Sequence, residues 1–307
     1  MKENKMKNII IIIMIFLLVN VSFAQNLEIT IAAENLDFLQ YEPIGLTYKI
    51  RNIGPDKIKL VSAPIGYFGL ELLVKDSNGN RLMPFETSGY VGNIFYIEIM
   101  PGEEIVSYTD ISAFGNLYGG METVTLYRYY FAPDTLSLQL VYTIPKDIDK
   151  NNYEDIVFKS NIEEIVINKP SIEDETIIKD LQEVHNLCSS NQKRGEGIKK
   201  ALKIVDNYPN HPLTKQAYLY LDSGVQRYYN FDLFEYYKKY CLDFPRTLKA
   251  IRWASSFIKQ DSDFTQKILG TELYNRAIIR QKEIENKIKI MERDPNFKQT
   301  RSKQNEK

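Results

Sequence analysis

Two hydrophobic periods divide this chain. From Asn26 to Lys169, apolar and polar residues alternate in short runs broken by Gly, Pro and Asn. Leu46, Tyr48 and Ile50 interleave with Thr47, Lys49 and Arg51, and Leu136, Leu138, Leu140 and Tyr142 repeat the alternation. Each run predicts a strand with one apolar and one wet face. Val74 and Leu82 flank Ser77-Asn78-Gly79-Asn80, where Asn-Gly predicts a type I′ hairpin turn. Phe95, Ile97 and Ile99 lead into Pro101-Gly102, the order of a type II turn, before Ile105. Short strands, frequent turns and no run of helical period predict a β-sandwich over 26–169.

At Pro170-Ser171 the period changes. Ile177, Ile178, Leu181, Val184 and Leu187 fall at helical spacing, and Ser171 with Asp174 resembles a capping signal. Tyr208-Pro209 recurs as Phe244-Pro245 after 36 residues. The flanking positions align as well: Ile198 with Phe234, Ala201 with Tyr237, Val205 with Cys241, then Leu181 with Ala217 and Trp253, and His185 with Leu221 and Phe257. Three helical hairpins are expected, beginning near Thr176, Pro212 and Leu248, with prolines that stop one helix and reset the next. A last helix carrying Leu273, Ala277, Ile278, Ile284, Ile288 and Met291 outruns the repeat and ends near Asp294-Pro295. The helical region is therefore 170–293, and the polar, basic stretch 294–307 is expected to be a disordered tail.

The first residues bear on where the chain works. Lys2, Lys5 and Lys7 precede an apolar run from Ile9 to Val21, closed by Ser22-Phe23-Ala24. This is the pattern of a secretory signal peptide over 1–24, removed before Gln25. An uncleaved anchor would need about twenty apolar residues, and this run is shorter and contains Asn20. No Cys lies between Met1 and His185, so lipid attachment at a processed N-terminal cysteine is not expected. The mature protein is expected in the periplasm or outside the cell, with no integral membrane segment after cleavage.

About 280 residues then remain, enough for two cores. Composition is that of a globular protein, 44% hydrophobic and 26% charged. The charge is unevenly spread: 26–169 holds 11 Lys and Arg against 20 Asp and Glu, net −9, and 170–307 holds 25 against 19, net +6. This asymmetry suggests two units of different origin. The acidic half also argues against nucleic-acid binding, which needs a basic stripe.

Particular segments resemble known families. Tyr41-Glu42-Pro43-Ile44, Leu46 to Asn52 with Gly54, Leu70 to Gly79 and the turn Pro101-Gly102-Glu103-Glu104 resemble bacterial immunoglobulin-like domains, including the BsuPI-like proteinase-inhibitor group. Phe158-Lys159-Ser160-Asn161 before Ile165 to Ile167 is similar to the last strand of such secreted sandwiches. The resemblance covers roughly 27–168 and implies a fold and a tendency to bind. Such domains share no catalytic apparatus, and no residue here stands out as carrying proteinase inhibition. Asp206-Asn207-Tyr208-Pro209-Asn210-His211-Pro212, followed by Ala217-Tyr218, resembles the inter-repeat segment of bacterial envelope tetratricopeptide repeats, whose period is about 34. That match covers about 172–285 and lacks the consensus Gly-Tyr pair, so the repeats are tetratricopeptide-like. It implies a stacked scaffold whose groove binds a peptide or protein segment.

Candidate chemistry is sparse. Glu103-Glu104 and Glu163-Glu164 are paired carboxylates, but adjacent strand residues point to opposite faces and neither pair converges on a substrate. In Tyr127-Arg128-Tyr129-Tyr130-Phe131, alternation groups Tyr127, Tyr129 and Phe131 either as a contact surface or as filling of the β region. Tyr228, Tyr229, Phe231, Phe234, Tyr236, Tyr237 and Tyr240 crowd the second hairpin. Repeat equivalence assigns Phe234, Tyr237 and Cys241 to the core, and leaves Tyr229, Tyr236 and Tyr240 as partner contacts. Cys188 and Cys241 fall at helix ends too far apart for a disulfide, so two buried free thiols are expected. His185 and Cys188 read as core positions rather than a metal or nucleophile pair, and no phosphate loop, His-Glu-x-x-His run or serine elbow occurs. The reading is a non-catalytic exported scaffold that binds an envelope or extracellular protein or peptide, with no metal or cofactor. A polysaccharide-binding module using Tyr127 and Tyr129, or a proteinase-inhibitor-like protein, is the alternative.

Overall fold

The computed structural model describes residues 27–62, 70–82, 95–111, 131–147, 152–188, 192–222 and 233–293. The chain is β in its first part and α in its second. The strands are β1 (Leu27–Ala33), β2 (Asp37–Leu39), β3 (Ile44–Asn52), β4 (Ile58–Ser62), β5 (Leu70–Lys75), β6 (Arg81–Leu82), β7 (Phe95–Ile99), β8 (Glu104–Ile111), β9 (Asp134–Asp147) and β10 (Asn152–Asn168). They form sheets ordered β1-β3-β8, β2-β10-β9-β5-β6 and β4-β7. The alternation seen in the sequence becomes burial: Leu46, Tyr48 and Ile50 of β3 and Leu136, Leu138, Leu140 and Tyr142 of β9 meet in one core shared by all three sheets. The outer edge of β1 is covered by side chains of β10. The Asn161 amide accepts from Ile31 N at 2.9 Å and donates to Ile31 O at 3.0 Å, and Glu163 Oε1 accepts from Ala33 N at 3.2 Å. These bonds occupy polar groups that an open edge would offer to another chain.

One of the two turns takes the expected form. Gly102 has φ +78, and Glu103 N donates to Met100 O at 3.0 Å, as a type II turn requires. The hairpin at Gly79 differs from the expected type I′. Gly79 has φ +79, but the described non-glycine residues with positive φ are Tyr41 and Asn210, not Asn78. Gly79 N donates to Asp76 O at 2.9 Å and Asp76 N donates to Asn80 O at 3.0 Å, so the loop is a type I turn followed by a left-handed glycine. Asp76 Oδ1 favours this form by accepting from the backbone N of Asn78 at 2.9 Å and Asn80 at 2.8 Å.

The helices are α1 (Asp174–Cys188), α2 (Arg194–Asn207), α3 (Thr214–Asp222), α4 (Leu233–Asp243), α5 (Leu248–Phe257), α6 (Ser262–Ile268) and α7 (Glu272–Met291). At the start of α1, Ser171 N donates to Asp174 Oδ2 at 2.6 Å and Asp174 N donates to Ser171 Oγ at 3.3 Å, a reciprocal cap. Ile198, Ala201, Val205, Leu181, Ala217, Trp253, Leu221, Tyr237, Cys241 and Phe257 are all buried in one helical core. Phe234, expected in the core by its sequence alignment with the buried Ile198, is instead 50% exposed. It sits in the first turn of α4, where its ring meets Tyr237 and the end of α5 at Phe257 edge-on and then faces outward.

Cys188 and Cys241 are free and buried, and burial pushes their thiols up to about 11 and about 12. Gly197 of α2 lies against the end of α1. A Cβ there would stand 2.5 Å from Cys188 Sγ and 3.0 Å from Cys188 N. Gly197→Ala is therefore expected to destabilise the chain by about 1–3 kcal/mol through overpacking, measured by urea denaturation. A variant as stable as the parent would show that α1 and α2 separate freely.

The halves meet along a seam of opposite charges. Lys215 Nζ, near the start of α3, contacts Glu42 at 2.7 Å and Glu34 at 3.9 Å. Glu34 Oε2 also accepts from Leu248 N at 2.9 Å, placing a carboxylate on the positive end of α5. Tyr108 of β8 donates to Glu283 at 3.0 Å and carries Arg280 over its ring at 4.0 Å. Lys287 donates to Ser107 at 3.1 Å, and Arg293 forks onto both Glu103 oxygens at 2.6 Å. Part of the charge asymmetry thus has a local use, since acids of the β half meet cations and a helix N-terminus of the other. Ile290 of α7 belongs to the β core rather than the helical one.

Candidate interaction surface

Helix α4 carries most of the aromatic residues singled out in the second hairpin. Tyr237, Tyr240 and Cys241 recur at helical spacing with Phe244 just beyond the helix, and all four are buried. The expectation that Tyr240 is an exposed contact is corrected here: it is 3% exposed. Its ring is enclosed by Tyr218 at 4.8 Å, Trp253 at 5.0 Å and Phe244 at 5.1 Å. The physical reason is that α4 packs on both α3 and α5, so its covered face is wider than a single stripe.

Tyr236 is half-buried, and its hydroxyl pKa is raised by burial and by Asp206. Tyr229, Tyr127 and Tyr129 lie outside the described residues, as do residues 1–24, where a signal peptide is expected, and residues 294–307, where a disordered tail is expected. Phe131, their neighbour in alternation, is in the β core, and its carbonyl accepts from Gln40 Nε2 at 3.1 Å. Among its described aromatic and apolar side chains, α4 therefore offers to solvent Phe234 near its start, Tyr236 in part, and Leu242 near its end. A cleft of about 400 Å³ runs between α4 and α6 over Leu242 and Phe264. Lys238 spans it, holding Glu235 at 2.6 Å and Asp261 at 2.5 Å, and both contacts raise the lysine pKa.

The carboxylate pairs do not converge. The bond from Arg293 holds the Glu103 carboxyl below the usual range, while the Glu104 carbonyl accepts from Asn286 Nδ2 at 3.4 Å. Glu163 is occupied by Ala33 N, and Glu164 is exposed. His185 Nδ1 lies 3.1 Å from the Tyr220 hydroxyl, and His211 Nε2 lies 2.9 Å from Asp174. Among the described residues, no three His, Cys, Asp or Glu side chains are placed to hold a metal ion together.

Sequence reasoning missed one polar feature beneath this surface. The Tyr218 hydroxyl and Asp243 Oδ2 are buried without a hydrogen-bond partner. Asp243 ends α4, where the helix carbonyls disfavour a negative charge, and burial raises its pKa against the opposing pull of Lys239. A raised folded-state pKa means that the native chain binds the proton more tightly than the unfolded one. The penalty is absent below the unfolded value and complete above the folded one. Asp243→Asn should therefore stabilise the chain at neutral pH by about 0.5 kcal/mol, solvent screening keeping the effect small. The gain should vanish near pH 3 in thermal melts, and an equal gain at both pH values would contradict this origin.

No family model and no curated protein matches the chain. Among solved structures it is similar to a β-glucosidase from Listeria innocua, at 12% identity and TM-score 0.25, over 48% of this chain and 16% of that one. It is also similar to Spo0M, a sporulation control protein from Bacillus subtilis, at 8% identity and TM-score 0.26, over 52% and 56% of the two chains. A third is β-glucosidase 3B from Thermotoga neapolitana, at 12% identity and TM-score 0.22, over 47% and 17%. The chain spans under a fifth of either glucosidase's length, and similarity at these scores carries no argument about fold or activity.

Proposed function

We propose that this chain is a non-catalytic, exported binding protein of the bacterial envelope or extracellular space, pairing an immunoglobulin-like β-sandwich with a tetratricopeptide-like stack. The observation that carries the reading is Phe234, a large aromatic left half-exposed on α4 beside Tyr236 and backed by the rings of Tyr237 and Phe257. Exposed aromatics on a rigid support are the residues that dominate protein contacts, because they add area with few rotamers to freeze. The seam that fixes the β half to α5 and α7 supplies that rigidity.

Residues 25–307 would be immobilised and exposed to envelope extract of the source cell, in parallel with Phe234→Ala and the double variant Phe234→Ala/Tyr236→Ala. A discrete protein retained by the parent and lost at least tenfold from the double variant supports the reading. Retention unchanged by both variants places binding elsewhere on the chain. Retention of carbohydrate in place of protein would replace the reading with a polysaccharide-binding module.

A further inference from the structure

We draw no further inference here: the strongest candidate, the exposed apolar residues Val157, Ile162 and Val166 on the outer face of β10, is a bare sheet surface, and nothing in the structure shows what covers it.

Discussion

Ile290→Ala is expected to destabilise the whole chain by about 2–5 kcal/mol, the range for emptying a fully buried aliphatic site. Ile290 is 0% exposed, and although it belongs to α7 its neighbours are the core residues of the β sheets. The lost volume therefore lies between the halves. Arg293, three residues on, is clamped by Glu103, and Lys287, three residues before, donates to Ser107, so the end of α7 cannot easily move in to fill the space. Thermal unfolding followed at 222 nm and by near-ultraviolet dichroism should shift together. A shift in the helical signal alone would mean that Ile290 serves only its own helix.

The second large effect is expected at Asn52, which is fully buried in the β half. Its Nδ2 donates to Asp56 O at 2.7 Å and Ile99 O at 2.9 Å, and its Oδ1 accepts from Gly54 N at 2.9 Å. One amide thus closes the turn after β3 and ties it to the end of β7. Its own carbonyl accepts from Gly102 N at 2.8 Å, which brings the type II turn into the same network. Asn52→Ala takes the side-chain donor from the buried Ile99 carbonyl and the acceptor from Gly54 N, so a loss of about 3 kcal/mol is expected in urea unfolding. Asn52→Asp should be at least as harmful, since it replaces a donor with a charge facing two carbonyl oxygens. A loss below about 1 kcal/mol for alanine would show that water replaces the amide.

Local patterns were legible in the sequence, and long-range ones were not. The faces of β3 and β9 follow from alternation, and the cap at Ser171 and Asp174 from spacing, because each depends on residues a few positions apart. Asn52 gave no signal, since its partner Ile99 is 47 residues away. Tyr240 was misread because a single helix shows its stripe but not how many neighbours it packs against. The Asn-Gly pair at 78 and 79 located the hairpin but pointed to type I′, whereas Asp76, outside the pair, favours the type I turn with a left-handed glycine. The amphipathic run ending at Met291 predicted α7, yet nothing in it said that Ile290 would enter the other half's core. The opposite net charges were visible, whereas the pairing of Lys215 with Glu42 and Arg293 with Glu103 needed the fold.

That the two halves form one rigid frame is the claim on which the binding proposal rests. Native-state hydrogen exchange on residues 25–307 tests it most directly, comparing the parent with Ile290→Ala at peptides covering β7, β8 and α7. The account predicts faster exchange in all three segments of the variant, by a similar free energy, because opening the seam exposes both sides at once. Faster exchange in α7 with β7 and β8 unchanged would contradict it, and would make the halves independent units on a common chain.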